Sequence, residues 1–302
     1  NLDGLISGSG GLEIGNESRD RLFIRGNNTY SGITYVTSGQ IFSTSSTAFG
    51  GPTEGTIVRG ANLTVQAPTD EQFRIEEGLL SFQAGEFVPS EPLTIAGGTV
   101  NLPFREHHTT SVIVDGNGGA IRFGFGGNSS WTGGSSGVGN LEISGNIDID
   151  SPLTHDGDLV ISRARLNAIN SYTGKTIITN DFEIDRSDVF GTSTTPIEIN
   201  EGSVTVHVVP NGDRGFHLRR GTLDIQTAEP INGKIILGGG FEANIRGDGT
   251  SGGPSSRPEA IIKAWSCKIA LQIDRIVDLI HIGQYMIGRY HDGVDPCFKL
   301  IP

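Results

Sequence analysis

The chain has 302 residues, 45 of them glycine, and a formal net charge of −12. This acidic balance argues against general nucleic-acid binding, which requires clustered Lys and Arg to displace counterions. The glycines follow no three-residue period, which excludes collagen, and enough Ile, Val and Leu is present for a narrow continuous core. No uncharged run is long enough to cross a bilayer, so we expect a folded protein with an acidic surface.

Short alternating runs separated by turns organise the first third of the chain. Between residues 22 and 65, such runs occupy 34–36, 40–42, 56–58 and 63–65, with turns rich in Gly, Asn, Ser and Pro between them. Strands this short and closely spaced do not suit helices or a globular α/β protein. They predict a chain that coils and stacks on itself.

One turn motif recurs along the chain. The turn 26–32, which contains Tyr30, is repeated at 170–176, which contains Tyr172. The two tyrosines are 142 positions apart, and a shorter copy of the turn surrounds Trp131. Internal repetition of this kind indicates a solenoid. The aromatic rings and asparagines of these turns are interpreted as structural, packing over coil corners and satisfying turn amides, with a sugar-stacking platform as the alternative.

The motif Gly-Asn-Asn-Thr-Tyr-Ser-Gly, followed by aliphatic residues, Phe-Gly and Gly-Ala-Asn-Leu, resembles the passenger-associated transport repeat of bacterial autotransporters and related secreted surface proteins. The resemblance covers 22–65 and 166–206 well and 121–133 in part, although Gln40-Ile41 and Ala168-Ile169 depart from the family pattern. It implies an all-β fold, a right-handed single-stranded parallel β-helix, and a secreted or bacterial cell-surface location. It implies little about activity, because the repeat is a scaffold.

The chain changes character near residue 250. Alternation persists over 1–250, which predicts a parallel β-helix of on the order of ten to twelve coils. Residues 251–257 form a Gly/Ser linker. In 258–302 apolar residues recur at steps of three and four, which predicts a helical segment, either a cap on the last coil or a tail foreign to the repeat protein. Both cysteines, Cys267 and Cys297, lie there, and spacing alone does not determine whether they pair.

The densest carboxylate cluster surrounds the turn 151–155 and consists of Asp148, Asp150, Asp156 and Asp158. Alternation places Asp148 and Asp150 on one outward strand face, about 7 Å apart. Paired carboxylates at that separation can act as acid and base on a glycosidic bond. A catalytic site is therefore one interpretation of the cluster, and a solvated outer face is the simpler one.

A second candidate, Glu106, His107 and His108, offers metal-ligating side chains. Adjacent histidines on a strand point to opposite sides, so a metal site would need a further ligand from a neighbouring coil. The turn 115–119 has a faint likeness to calcium-binding turns, but turn chemistry explains its Gly and Asn residues. We therefore expect no cofactor, with calcium as the only one considered.

The resemblance implies an exported bacterial surface β-helix. We expect it to act as a monomer and to present a rigid scaffold for adhesion or contact with polysaccharide or cell-surface glycan. The alternative is a carbohydrate-active enzyme, a polysaccharide hydrolase or lyase that uses the outward carboxylates. Neither function requires nucleic acid or a membrane span in this chain.

Overall fold

The structure is a computed structural model of the chain. It describes residues 1–17, 20–51, 54–83, 91–103, 107–124, 129–212, 214–227, 231, 233–237, 243–247, 260–262 and 269–271. Glu106, the whole predicted linker 251–257, most of the predicted tail 258–302 and both cysteines lie outside the described residues.

The chain divides into two compact units. One contains Asn1–Gly174 with Gly191–Ser193, and the other contains Lys175–Phe190 with Thr194–Pro302. The described residues of both units contain strands and no helix, and the parallel strands stack as a β-solenoid, with about 11 turns in the two units together. The predicted all-β parallel solenoid is thereby confirmed, while the handedness of its coils stays a prediction.

Within the described residues of the first unit, the strands are β1 (Leu12–Gly15), β2 (Arg21–Ile24), β3 (Thr34–Ser38), β4 (Gln40–Ser43), β5 (Thr56–Val65), β6 (Phe73–Phe82), β7 (Leu93–Ile95), β8 (Thr99–Leu102), β9 (His107–His108), β10 (Val112–Asp115), β11 (Gly119–Phe123), β12 (Ser129–Trp131), β13 (Ser135–Val138), β14 (Leu141–Ile149) and β15 (Leu159–Leu166).

These strands form three parallel stacks, each making one face of the first unit. The first face runs through β1, β3, β5, β6, β7, β10 and β13. The second runs through β2, β4, β5, β6, β8, β11, β14 and β15. The third is shorter and contains β9, β12 and the C-terminal halves of β14 and β15.

Within the described residues of the second unit, the strands are β16 (Thr176–Ile178), β17 (Phe182–Ile184), β18 (Ile197–Ile199), β19 (Ser203–Val206), β20 (Phe216–Leu218), β21 (Gly221–Ile225), β22 (Ile235–Leu237), β23 (Ala243–Gly247), β24 (Ala260–Ile262) and β25 (Ile269–Leu271). The even-numbered strands form one parallel stack and the odd-numbered strands another.

The core lies inside the coils and follows from strict alternation along the strands. In β14, Leu141, Ile143, Ile147 and Ile149 are each at most 2% exposed, and the residues between them face outward or form the bend. The register shifts between Ser144 and Ile147, where the strand turns from the second face to the third. The inward pattern expected for this segment is confirmed.

The repeated turns are structural, as the sequence indicates. Tyr30, Tyr172 and Trp131 are at most 2% exposed, so their rings pack inside the coils and cannot form a sugar-stacking platform. Asn28 accepts a hydrogen bond from the Ile6 amide and donates one to the Ala48 carbonyl. Asn170, the equivalent asparagine of the second copy, accepts a hydrogen bond from the Leu153 amide.

The predicted C-terminal helix is only partly within the described residues. At Ala260–Ile262 and Ile269–Leu271 the chain forms strands β24 and β25, which pair with β22 and β23. Strands β22 and β23 would otherwise end the stack with unpaired backbone amide and carbonyl groups. The six residues of β24 and β25 form hydrogen bonds with these groups, so they adopt strands although their apolar spacing predicts a helix. The rest of 258–302 lies outside the described residues.

Candidate functional site

The third face of the first unit carries a straight column of polar side chains, one from each of four successive strands. His107, Ser130, Asp148 and Arg165 occupy equivalent register positions on β9, β12, β14 and β15. The residues that follow them, His108, Trp131, Ile149 and Leu166, are buried at 4% exposure or less. Alternation therefore directs the four polar side chains outward. We call these four residues the polar column.

Within the polar column, the imidazole and the hydroxyl are in contact. Nδ1 of His107 lies 2.6 Å from Oγ of Ser130, a hydrogen-bonding distance. Asp148 occupies the position on the other side of Ser130, one coil further along. Neighbouring strands are about 4.8 Å apart, so an imidazole, a hydroxyl, a carboxylate and a guanidinium follow one another at that interval.

A second outward position lies beside the polar column. Asp150 is exposed, and its carboxylate accepts a hydrogen bond of 2.8 Å from the side-chain amide of Asn167. Asp148 and Asp150 flank the buried Ile149, so they face outward from the same part of the chain, as expected. The pair is therefore presented on a face that also holds a histidine, a serine and an arginine.

The other two aspartates of the cluster lie elsewhere. Asp156 pairs with Val138 of β13, which belongs to the first face, and its carboxylate accepts a hydrogen bond from the Thr173 hydroxyl. The amide of Asp158 donates to the side-chain oxygen of Asn140 at 2.8 Å. The four carboxylates are thus divided between different faces of the coil: Asp148 belongs to the polar column, Asp150 lies beside it, and Asp156 and Asp158 lie elsewhere.

The histidine pair separates as the alternation requires. His107 is exposed, whereas His108 is 1% exposed and packs edge-on against the Phe123 ring, with ring centroids 5.1 Å apart. The two imidazoles therefore point to opposite sides of β9.

The turn 115–119 has a faint likeness to calcium-binding turns. Its Asp115 carboxylate lies 2.6 Å from the Arg74 guanidinium, so a positive charge already lies beside this carboxylate.

Two buried ionisable groups belong to the scaffold. Glu71 is 3% exposed, and burial raises the pKa of its carboxyl to about 7, although a hydrogen bond from Thr56 opposes the shift. His155 is fully buried between the Ser135 hydroxyl and the Tyr172 ring, and burial lowers the pKa of its imidazole. Neither group reaches the outer surface where a ligand could contact it.

A carboxylate and imidazole cluster that was not predicted from the sequence lies in the second unit. One ligand atom each of Glu183, Asp185 and His207 lies within 4.8 Å of the other two, and Nε2 of His207 is 3.8 Å from Oδ1 of Asp185. Carboxylates and imidazole suit ions such as zinc or manganese. The available signal was the alternation of β17 and β19. It directs Glu183 outward within β17 and, continued by one residue beyond each strand, directs Asp185 and His207 outward as well.

Comparisons with protein-family models, with curated proteins and with solved structures each found no match to this chain. The described residues contain no helix with the length and apolar character needed to span a membrane. The fold and the arrangement of side chains on its faces are therefore the basis for functional inference.

Proposed function

We propose that this protein is an exported bacterial surface β-solenoid that binds polysaccharide or cell-surface glycan, acting as a monomer. The observation that carries the proposal is the polar column on the third face, His107, Ser130, Asp148 and Arg165, with Asp150 and Asn167 beside it. The export and surface location rest on the resemblance of the repeated turns to autotransporter passenger repeats.

A regular column of this kind suits an extended, hydroxyl-rich ligand. Sugar hydroxyls both donate and accept hydrogen bonds, and the column alternates groups that donate, accept or do both. Because strand pairing already fixes the backbone at each of these positions, little backbone freedom is lost on binding, which favours affinity.

The test is binding to a glycan array by the full chain, compared with the Asp148→Asn/Asp150→Asn variant. Loss of both carboxylates is expected to weaken binding at least about tenfold, since each accepts hydrogen bonds from ligand hydroxyls. The double variant Asp70→Asn/Glu77→Gln, which removes two exposed charges elsewhere, is the matched control. Absence of binding to any glycan at micromolar protein would refute the proposal.

A second candidate function is glycan cleavage, favoured by the 2.6 Å contact between His107 and Ser130 and by the two carboxylates on the same face. Imidazole and carboxylate groups are the usual general acids and bases. Release of reducing ends from plant, algal and bacterial polysaccharides would support it, provided that Asp148→Asn and Asp150→Asn abolish the release. Binding without release on every substrate would leave the binding function alone.

A further inference from the structure

The second unit holds three metal-ligating side chains on the outer side of two successive coils. Glu183 lies on β17, Asp185 takes the next outward position just past the end of β17, and His207 follows the last residue of β19. The register pairs Ile184 with Val206, so the next positions, those of Asp185 and His207, lie opposite each other. Two ligands therefore come from one coil and the third comes from the next. We call these three residues the ligand cluster.

The backbone beneath the ligand cluster is fixed, while its side chains are open to solvent. The amides of His207 and Val208 donate hydrogen bonds of 3.0 and 3.1 Å to the Ile184 carbonyl, which ties the two coils together at this point. Glu183 and His207 are exposed, and Asp185 is half-buried. An ion can therefore reach all three side chains from water, and the side chains can adjust to it.

The ligand atoms stand apart by distances close to those found around a metal ion. Nε2 of His207 is 3.8 Å from Oδ1 of Asp185, which is longer than a hydrogen bond of about 2.7–3.2 Å. A carboxylate oxygen of Glu183 lies within 4.8 Å of a ligand atom of each of the other two. Two ligands of a tetrahedral zinc ion, each about 2.0–2.2 Å from it, are about 3.4 Å apart. A displacement of about 1 Å at the ends of these side chains therefore brings all three to one ion.

The chemistry of the ligand cluster favours a transition-metal ion over calcium or magnesium. With a neutral imidazole, its side chains carry two negative charges, which attract a divalent cation. Calcium and magnesium prefer ligand sets made of oxygen, whereas imidazole nitrogen suits zinc and related ions. Such sites generally bind zinc more tightly than manganese.

We propose that Glu183, Asp185 and His207 bind one divalent transition-metal ion, zinc in preference to manganese, which bridges two successive coils of the second unit. Three protein ligands leave the fourth position of a tetrahedral zinc ion to water. The inference is independent of the proposed glycan binding, because the polar column belongs to the first unit.

The test must locate the ion, because Cys267, Cys297 and other histidines of the full chain can also bind zinc. Paramagnetic Mn²⁺ broadens the amide NMR signals of nearby residues. Titration of the full chain with Mn²⁺ is expected to broaden the signals of residues 183–185 and 205–207 before those of the rest of the second unit. Zinc added in excess is expected to displace Mn²⁺ and restore these signals.

Two variants remove the proposed ligands, Glu183→Gln/Asp185→Asn and His207→Gln. Each is expected to weaken Mn²⁺ binding at this position at least about tenfold. The control variants Glu201→Gln and His217→Gln remove a carboxylate and an imidazole elsewhere in the same unit, and each should change the affinity less than about twofold.

Broadening centred on other residues, or parent-like affinity in either ligand variant, would overturn the metal site. Displacement of Mn²⁺ by calcium as effectively as by zinc would overturn the assigned class of ion. Circular dichroism shows whether each variant keeps its strands. If a ligand variant does not fold, the position of the broadening in the parent chain and its reversal by zinc decide the question.

Discussion

The Thr56 hydroxyl donates a hydrogen bond of 2.8 Å to the Glu71 carboxyl, which is 3% exposed inside the first unit. The Thr34 hydroxyl occupies the register position one coil before Thr56 and lies 2.5 Å from the Tyr30 hydroxyl. Burial raises the pKa of Tyr30, the hydrogen bond with Thr34 opposes this rise, and the negative charge of an ionised Glu71 raises the pKa further. For Glu71 the effect of burial outweighs the hydrogen bond from Thr56, so burial favours the neutral form of its carboxyl.

Stability should consequently fall as the pH rises through the range in which Glu71 ionises. Between its ordinary pKa of 4.5 and about 7, the folded chain holds a proton that the unfolded chain has released. The free energy of unfolding therefore decreases across this window, by on the order of 3 kcal/mol, and stays low at higher pH. Urea unfolding at pH 5 and pH 8 measures the difference.

Glu71→Gln should remove this contribution, because glutamine keeps a hydrogen-bond acceptor for Thr56 and carries no charge. Glu77→Gln, at an exposed position of β6, is the control and should leave the pH dependence of the free energy of unfolding unchanged. A Glu71→Gln profile that matches the parent profile would show that Glu71 is not the responsible group.

His155 should contribute the opposite pH dependence. Its pKa lies below the ordinary 6.5 because burial disfavours the imidazolium, so on acidification the unfolded chain takes up a proton before the folded chain does. Stability is thus retained above pH 6.5 and lost as the pH falls below it. The variant His155→Phe keeps the stacking on Tyr172, whose ring is parallel within 10°, and should lose this acid sensitivity.

His155→Phe also leaves the Ser135 hydroxyl without its 2.9 Å partner, at a cost of about 1–3 kcal/mol at pH 8. Adding Ser135→Ala should recover part of this loss, because the buried hydroxyl is then removed as well. Equal stability of the single and double variants would contradict the assigned hydrogen bond.

Asn28 should be one of the costlier side chains to truncate. It is 2% exposed and bonds two backbone groups, the Ile6 amide at 2.9 Å and the Ala48 carbonyl at 2.6 Å. Asn28→Ala should lower the free energy of unfolding by about 1–3 kcal/mol, since both groups become unsatisfied. The adjacent, exposed Asn27→Ala is the control, and equal losses from the two variants in urea unfolding would be unexpected.

Glu198 should contribute more to the stability of the second unit than an exposed, ion-paired carboxylate contributes. Its side chain is 11% exposed and lies 3.3 Å from Nζ of Lys175 and 3.2 Å from the Arg219 guanidinium. Glu198→Gln should cost about 1–3 kcal/mol, because two charge-assisted interactions weaken in a partly dehydrated setting. Asp188→Asn, which breaks an exposed pair with Arg186, should leave the urea midpoint unchanged.

Much of the fold could be predicted from the sequence because its signals are local. The inward positions of β14 follow from alternation alone, and the repeated turns around Tyr30 and Tyr172 follow from their composition and spacing. The tail shows the limit of local signals: its apolar spacing predicts helix, yet Ala260–Ile262 and Ile269–Leu271 pair as strands with the preceding coil.

Only part of the candidate sites could be predicted from the sequence. Asp148 and Asp150 were predicted to share an outward face, but His107 was considered as a metal ligand beside Glu106 rather than as a neighbour of Ser130. The cluster of Glu183, Asp185 and His207 was not predicted at all. His107 and Ser130 stand 23 positions apart and Asp185 and His207 stand 22 apart, so these contacts depend on the length of the intervening coil.

The sequence by itself determined that this chain forms short stacked strands, because alternation and turn chemistry act within a few residues. Only the tertiary structure decided which outward side chains meet, because the register between successive coils is set by packing, bulges and the loops that close each turn. That register brings His107 against Ser130 and aligns both with Asp148.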